Sequence, residues 1–185
     1  HKHKMCNDRV FEAVDKVEKI LKKKYDIIVN IQGDLPMIFP NMIDTLIEPI
    51  LENKNISNTT MAELIQNDKE FKDPNRVKVI FDLNKNAILL TRETVPSDFK
   101  HLSTFKKYKH VAIRAYRRNI FEKLRRLKIT PIEKIEAIDD LRLLENGIKI
   151  KVVLTKNITE TVDNVKDLKK VITMMKKDKL RIKYS

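Results

Sequence analysis

The chain has 185 residues, 42% of them hydrophobic and 6% aromatic with no Trp, which is enough to bury one substantial core and too apolar for bulk disorder. Its net charge of +13 is spread through Lys-, Ile- and Asn-rich text rather than gathered in one tract, and without a helix-turn-helix signal, an aromatic stacking platform or a basic stripe on one helix, nucleic-acid binding is excluded as a partner class. Cys6 is the one cysteine, so no intramolecular disulfide forms; no apolar run reaches membrane-spanning length and nothing at the start reads as a signal peptide, which sets the expectation of a cytoplasmic protein without membrane insertion.

In chain order, His1 to Lys4 reads as a solvated terminus. Val10, Val14, Val17 and Leu21 recur at helical spacing and predict a helix over 8–21. The next run, 25–31, carries Ile27, Ile28, Val29 and Ile31, a β-branched strand of the kind covered on both faces in a parallel sheet. It ends abruptly in Gln32, Gly33 and Asp34. An amide, a glycine and a carboxylate beyond the carboxyl end of a buried strand are where α/β sheets collect ligands. Only 2 glycines occur in the chain, so no phosphate-binding glycine-rich loop can be built.

A helix is expected over 41–51, with Pro49 marking its stop. A weaker strand candidate follows at 59–65, and then a turn at Asp73 and Pro74. Runs 77–81 and 87–90 flank a connection that lacks the glycine a hairpin prefers. Residues 96–108 read as an irregular, mobile loop, 111–116 as a strand and 119–127 as a short basic helix. Pro131 opens a longer helix with Ile132, Ile135, Ile138, Leu141 and Leu144 on one face and Gly147 as its stop. A strand at 148–154 leads to a last helix whose buried stripe is Val165, Leu168, Val171, Ile172 and Met175, capped by Asn164 with Asp167 in the capping-box position. The tail after Lys176 is expected to be loose. Alternating strands and helices place the chain in the α/β class.

Six blocks in order, NIQGDLP at 30–36, DPNRVKV at 73–79, Thr91 and Arg92 with Val95 and Pro96, HVAIRAYR at 110–117, PIEKIEAIDDLR at 131–142, and Val162 and Asp163 with Asp167 and Leu168, are similar to those of the 3-deoxy-manno-octulosonate (KDO) cytidylyltransferases, the CMP-KDO synthetases. The 73–79 block and the Pro131 helix favour this branch over the related neuraminate cytidylyltransferases. The resemblance implies one nucleotide-diphospho-sugar-transferase-like domain over 1–185, with a Rossmann-like, mixed and mostly parallel sheet between flanking helices, working as a homodimer. It implies transfer of CMP from CTP to KDO with release of pyrophosphate, for lipopolysaccharide synthesis. Asp34 and Asp163 then carry the chemistry by holding Mg²⁺, Gln32, Arg92, His110 and Asp139 contact the sugar acid, and Asn7, Asp8 and Arg9 lie near the nucleotide.

Departures from the family pattern stand beside these matches. Cys6 and Asn7 replace Gly-Thr, Ala112 replaces Gly, Arg114 replaces Tyr, and Asp139 and Asp140 replace Glu-Gln; Ser97, Asp98 and Phe99 stand in place of Trp-Asp-Arg. The family's opening strand and triphosphate-gripping loop have no counterpart, so the fold is expected to be incomplete at its N-terminus. Two functional readings follow: a cytidylyltransferase, impaired or not, and a non-catalytic remnant or partner subunit of one.

Overall fold

The computed structural model describes residues 6–97, 105–178 and 180. The His1 to Lys4 opening, most of the 96–108 loop and most of the tail after Lys176 lie outside them. The elements run α1 (Cys6–Leu21), β1 (Ile27–Ile31), α2 (Pro40–Glu52), β2 (Asn58–Leu64), α3 (Asp68–Lys72), β3 (Lys78–Phe81), β4 (Ala87–Thr91), β5 (Tyr108–Arg117), α4 (Arg118–Arg126), α5 (Pro131–Glu136), α6 (Leu141–Glu145), β6 (Lys151–Thr155) and α7 (Val165–Met175).

The strands form one sheet in the order β4-β3-β5-β2-β6, with β1 also paired to β5. β5 is its spine. β2 covers one edge of β5 along nearly its whole length, from Tyr108 to Tyr116, while the other edge is shared: β3 meets it at Lys109 and β1 runs beside Ile113 to Arg117. The mixed α/β sheet with flanking helices agrees with the sequence, but its pairing does not. Only β2 and β6 pair in parallel, and the other four ladders are antiparallel. Three of the four arise because β5 runs against β1, β2 and β3, which point the same way as β6, and the fourth is the β3–β4 hairpin. One reversed strand in the middle converts co-directional strands into antiparallel neighbours.

Alternation along β5 builds two cores. Val111, Ile113 and Ala115 face α2 with Met42, Leu46, Ile50, Met61 and Val153; Tyr116 faces the other side with Phe11, Phe121, Leu124, Ile138 and Leu141. Phe11 and Phe121 meet edge-on at 4.9 Å between centroids, which locks α1 to α4.

Five further expectations are corrected. β1 is not covered on both faces: it is an edge strand that buries Ile28 and Asn30 and leaves Ile31 43% exposed. Pro49 lies inside α2 rather than ending it, because only the last turn follows it and the loss is a single hydrogen bond near the end. β2, the weak candidate, is central, with six of its seven residues buried between β5 and β6. In the β3–β4 hairpin Lys85 takes the left-handed conformation (φ 58°) in place of a glycine, and the Asp82 carboxylate stabilises the turn by accepting from the Asn86 N–H at 2.7 Å. α7 buries only Val171, leaving Val165, Leu168 and Ile172 exposed.

The 131–147 segment differs most. It is two short helices, broken where Ala137 turns left-handed (φ 53°). Ile132 and Ile135 are thereby exposed, while Ile138 and Leu141 stay in the core. The buried Glu133 carboxylate holds the halves together, accepting from Arg142 Nε at 3.0 and 2.9 Å and from the Thr130 N–H at 3.0 Å.

Candidate functional site

A cleft opens where β5 changes neighbour. Between Lys109, met by β3, and Ile113, met by β1, the stretch carrying His110 and Ala112 has no full ladder on that edge; the His110 N–H donates instead to Val77 O at 2.7 Å. On the opposite edge the β2 register slips between Thr60 and Met61. Bulges of this kind re-aim side chains. Because β1 ends where β3 begins, the turn after β1 and the loop before β3 converge on this gap, joined by Arg92 from the end of β4 and by the segment after β6.

Asp34 and Asp163 both line the cleft and are exposed to it. Their segments are tied directly, since the Val162 N–H donates to Asp34 O at 2.9 Å. Asp163 Oδ2 accepts from the Thr161 hydroxyl at 2.9 Å, and the Asp163 N–H donates to Asp167 Oδ2 at 3.2 Å; Asn164 caps α7 as expected, accepting from the N–H groups of Lys166 and Asp167. No cluster of three or more His, Cys, Asp or Glu suited to a metal occurs among the described residues.

The remaining lining mixes uncharged side chains with four cations. The other charged groups of the lining are Arg76, Arg92, Lys109 and Arg114, and three of these cations are matched by carboxylates beside or behind the wall. Its volume of 190 Å³ is below the roughly 300–1,000 Å³ of most small-molecule pockets. Arg92 is preset: its Nε donates to Glu136 O at 2.8 Å, its Nη1 to Pro74 O at 2.9 Å, and its backbone N–H to the Glu136 carboxylate at 2.9 Å. Arg76 is clamped by Glu160 at 2.8 Å and by Thr161, and Lys109 sits between Glu70 at 2.6 Å and Glu63 at 3.3 Å.

On the floor lies a buried ionic relay. Arg114 Nε donates to both oxygens of Asp140, at 2.8 and 2.7 Å, and Asp140 Oδ2 lies 3.2 Å from His110 Nε2, which is also 2.6 Å from the Thr60 hydroxyl. Burial would raise the Asp140 carboxyl, but the Arg114 charge and the His110 hydrogen bond overcome it and hold the group well below the usual carboxylate range. For His110 burial dominates and lowers its pKa, with Asp140 opposing, so the imidazole is neutral near pH 7. Burial likewise pushes the Tyr116 phenol up.

Gln32, Asp34, Arg92, His110 and Asp163 are thus gathered in one cleft. Asp139 does not line it: its Oδ2 accepts the Asn7 N–H at 3.1 Å, and burial pushes its carboxyl up. Asn7, Asp8 and Arg9 form the first turn of α1, Asn7 buried against Asp139 and Arg9 exposed on the groove between α1 and β1. Sequence reasoning gave no role to Arg76, Lys109, Arg114 or Asp140. Arg76 stood inside a recognised block, and Arg114 and Asp140 were visible only as departures from a pattern. Lys109 had no signal, because a buried lysine looks like any other in so basic a chain.

The cytidylyltransferase family model matches residues 1–150. A 3-deoxy-manno-octulosonate cytidylyltransferase of Fusobacterium nucleatum is 37% identical over 180 residues, 97% of this chain and 71% of the relative. One from Thermodesulfovibrio yellowstonii is 40% identical over 177 residues, covering 90% of this chain and 68% of the relative. A solved CMP:2-keto-3-deoxy-manno-octonic acid synthetase complexed with CTP superposes with a TM-score of 0.81 at 29% identity, over 95% of this chain and 70% of that one. A glucose-1-phosphate thymidylyltransferase from Bacillus anthracis, 17% identical with a TM-score of 0.56, shares the fold. A family model spanning most of the chain, relatives of this identity and the shared sheet agree, and the chain belongs to the cytidylyltransferase family.

Proposed function

We propose that the chain transfers CMP from CTP to the anomeric hydroxyl of KDO, releasing pyrophosphate, as a step in lipopolysaccharide synthesis by a cytoplasmic homodimer. The observation that carries this reading is the backbone tie between the Asp34 turn and the Asp163 segment, which brings two exposed carboxylates into one cleft with Arg76, Arg92, Lys109 and Arg114. The donor set fits Mg²⁺, which accepts one or two carboxylates plus phosphate oxygens and water, and which when bound neutralises triphosphate charge.

The chain's own residues do the rest. Arg92, whose guanidinium is oriented by donating Nε to Glu136 O and Nη1 to Pro74 O, presents its remaining N–H groups to the sugar-acid carboxylate. Gln32 and His110 address the sugar from the β1 end and the β5 floor. Asn7, Asp8 and Arg9 form the nucleotide-facing set, with Asp139 bracing that turn from behind.

Pyrophosphate release from the purified chain with CTP, KDO and Mg²⁺ tests the proposal. Release should require all three, and Asp34→Ala should lower it by about 10²-fold or more, since even outer-shell partners of a catalytic metal count on that scale. A folded chain with no CTP- and KDO-dependent release would instead be a non-catalytic remnant or partner subunit, and equal release by Asp34→Ala would remove the metal assignment.

A further inference from the structure

His110 approaches two oxygens with the same ring nitrogen. Its Nε2 lies 3.2 Å from Asp140 Oδ2 and 2.6 Å from Thr60 Oγ1. Asp140 is an ionised carboxylate that receives Arg114 Nε on both oxygens. An ionised carboxylate only accepts, so the proton of a neutral imidazole must sit on Nε2. The threonine hydroxyl is free to accept there as well, its own hydrogen directed toward Ile113 O at 3.5 Å.

The other nitrogen is left bare. Nδ1 has no hydrogen-bond partner among the described residues, and the ring that carries it lines the cleft. The ring itself cannot turn away: its side chain is 4% exposed, its backbone N–H is spent on Val77, and both Nε2 partners come from neighbouring elements. The charged groups lining the same cleft are Asp34, Asp163, Arg76, Arg92, Lys109 and Arg114. Its two carboxylates are committed to the proposed metal, and its other charged side chains are cations. His110 Nδ1 is the nitrogen base left to receive a proton.

We infer that Asp140 and Arg114 are positioning residues that lock His110 as its Nε2–H tautomer, so that the unprotonated Nδ1 accepts the proton of the attacking sugar hydroxyl. This rests on the transfer reaction proposed above and deepens it. In the step, the hydroxyl O–H bond breaks and its proton passes to the Nδ1 lone pair. The oxygen forms a bond to the α-phosphorus while the bond to the bridging oxygen breaks, and pyrophosphate departs with that electron pair. The imidazolium then returns its proton to solvent. Arg114 touches Asp140 and not the reacting atoms; its task is to keep the carboxylate ionised opposite Nε2.

The test uses the full chain labelled with ¹⁵N-histidine. Two-bond ¹H–¹⁵N NMR near pH 7 should show His110 protonated on Nε2, and Asp140→Asn should shift it toward a mixture of tautomers. In steady-state assays with CTP, KDO and Mg²⁺, His110→Gln should lower kcat by about 10²–10⁴-fold with little change in KM, the span expected for a lost proton acceptor. Asp140→Asn should fall between His110→Gln and the unmodified chain. An Nδ1–H tautomer in the unmodified chain, which needs no variant to observe, overturns the inference; so does an unchanged kcat in His110→Gln. If the unmodified chain shows the Nε2–H tautomer but no turnover, the transfer reading and the proton-acceptor role fail while the positioning by Asp140 stands.

Discussion

The Glu133–Arg142 pair shows how much a single buried contact decides. Glu133 is fully buried and Arg142 is 3% exposed, and the guanidinium meets the carboxylate through Nε and Nη2. Burial works to lower the Arg142 pKa, but hydrogen bonding and charge from Glu133 outweigh it and the pKa is raised overall. The pair clips the two halves of the broken 131–145 segment and so fixes where Asp140 stands. Glu133→Gln leaves Arg142 buried without its counter-charge and should cost about 3–5 kcal/mol in urea unfolding, the usual cost of breaking a buried ion pair from one side. A loss below about 1 kcal/mol would mean that the apolar contacts of Ile138 and Leu141 alone hold the segment.

At the level of elements, two interruptions make the site. The first is the break at Ala137, where an L-residue sits left-handed because a continuous helix would carry Ile132 and Ile135 on with Ile138 and would leave Asp140 away from β5. Relief of that conformation by Ala137→Gly should outweigh glycine's larger unfolded-state entropy and stabilise by about 0.5–1 kcal/mol, whereas the β-branched Ala137→Val should destabilise by about 1–2 kcal/mol. Calorimetry on the two variants checks the opposed signs; a shift of the same sign in both would show that the left-handed turn is not what limits stability there. The second interruption is the register slip between Thr60 and Met61, which lets Thr60 share a face with His110 and Arg114 on β5.

For the molecule as a whole, β5 organises stability as well as function. It joins β1, β2 and β3, and its residues Val111, Ile113, Ala115 and Tyr116 are at most 1% exposed. Native-state hydrogen exchange should find amides of β5 and β2 opening only with global unfolding, while β4 at the sheet edge and α7, which buries only Val171, open by local fluctuation. Equal protection in β4 and β5 would contradict that order. Much of this architecture was legible in the residues. The 3.6-residue period marked α1, a β-branched run marked β1, Asn164 with Asp167 announced α7, and the strand ending in Gln32, Gly33 and Asp34 pointed to the cleft. Those are local facts, written by hydrophobic spacing and by side chains that bond to their own backbone. Direction, register and pairing of charges are not local. That β5 runs against its neighbours, that Ala137 breaks a periodic helix, that α7 leaves most of its apolar stripe exposed, and that Arg114 finds Asp140 26 residues away depend on contacts between distant segments. The sequence by itself determined most of the elements and the polar turn after β1; only the tertiary structure decided which charged groups share the cleft, because a buried charge is stable only beside a partner that the chain brings in from elsewhere.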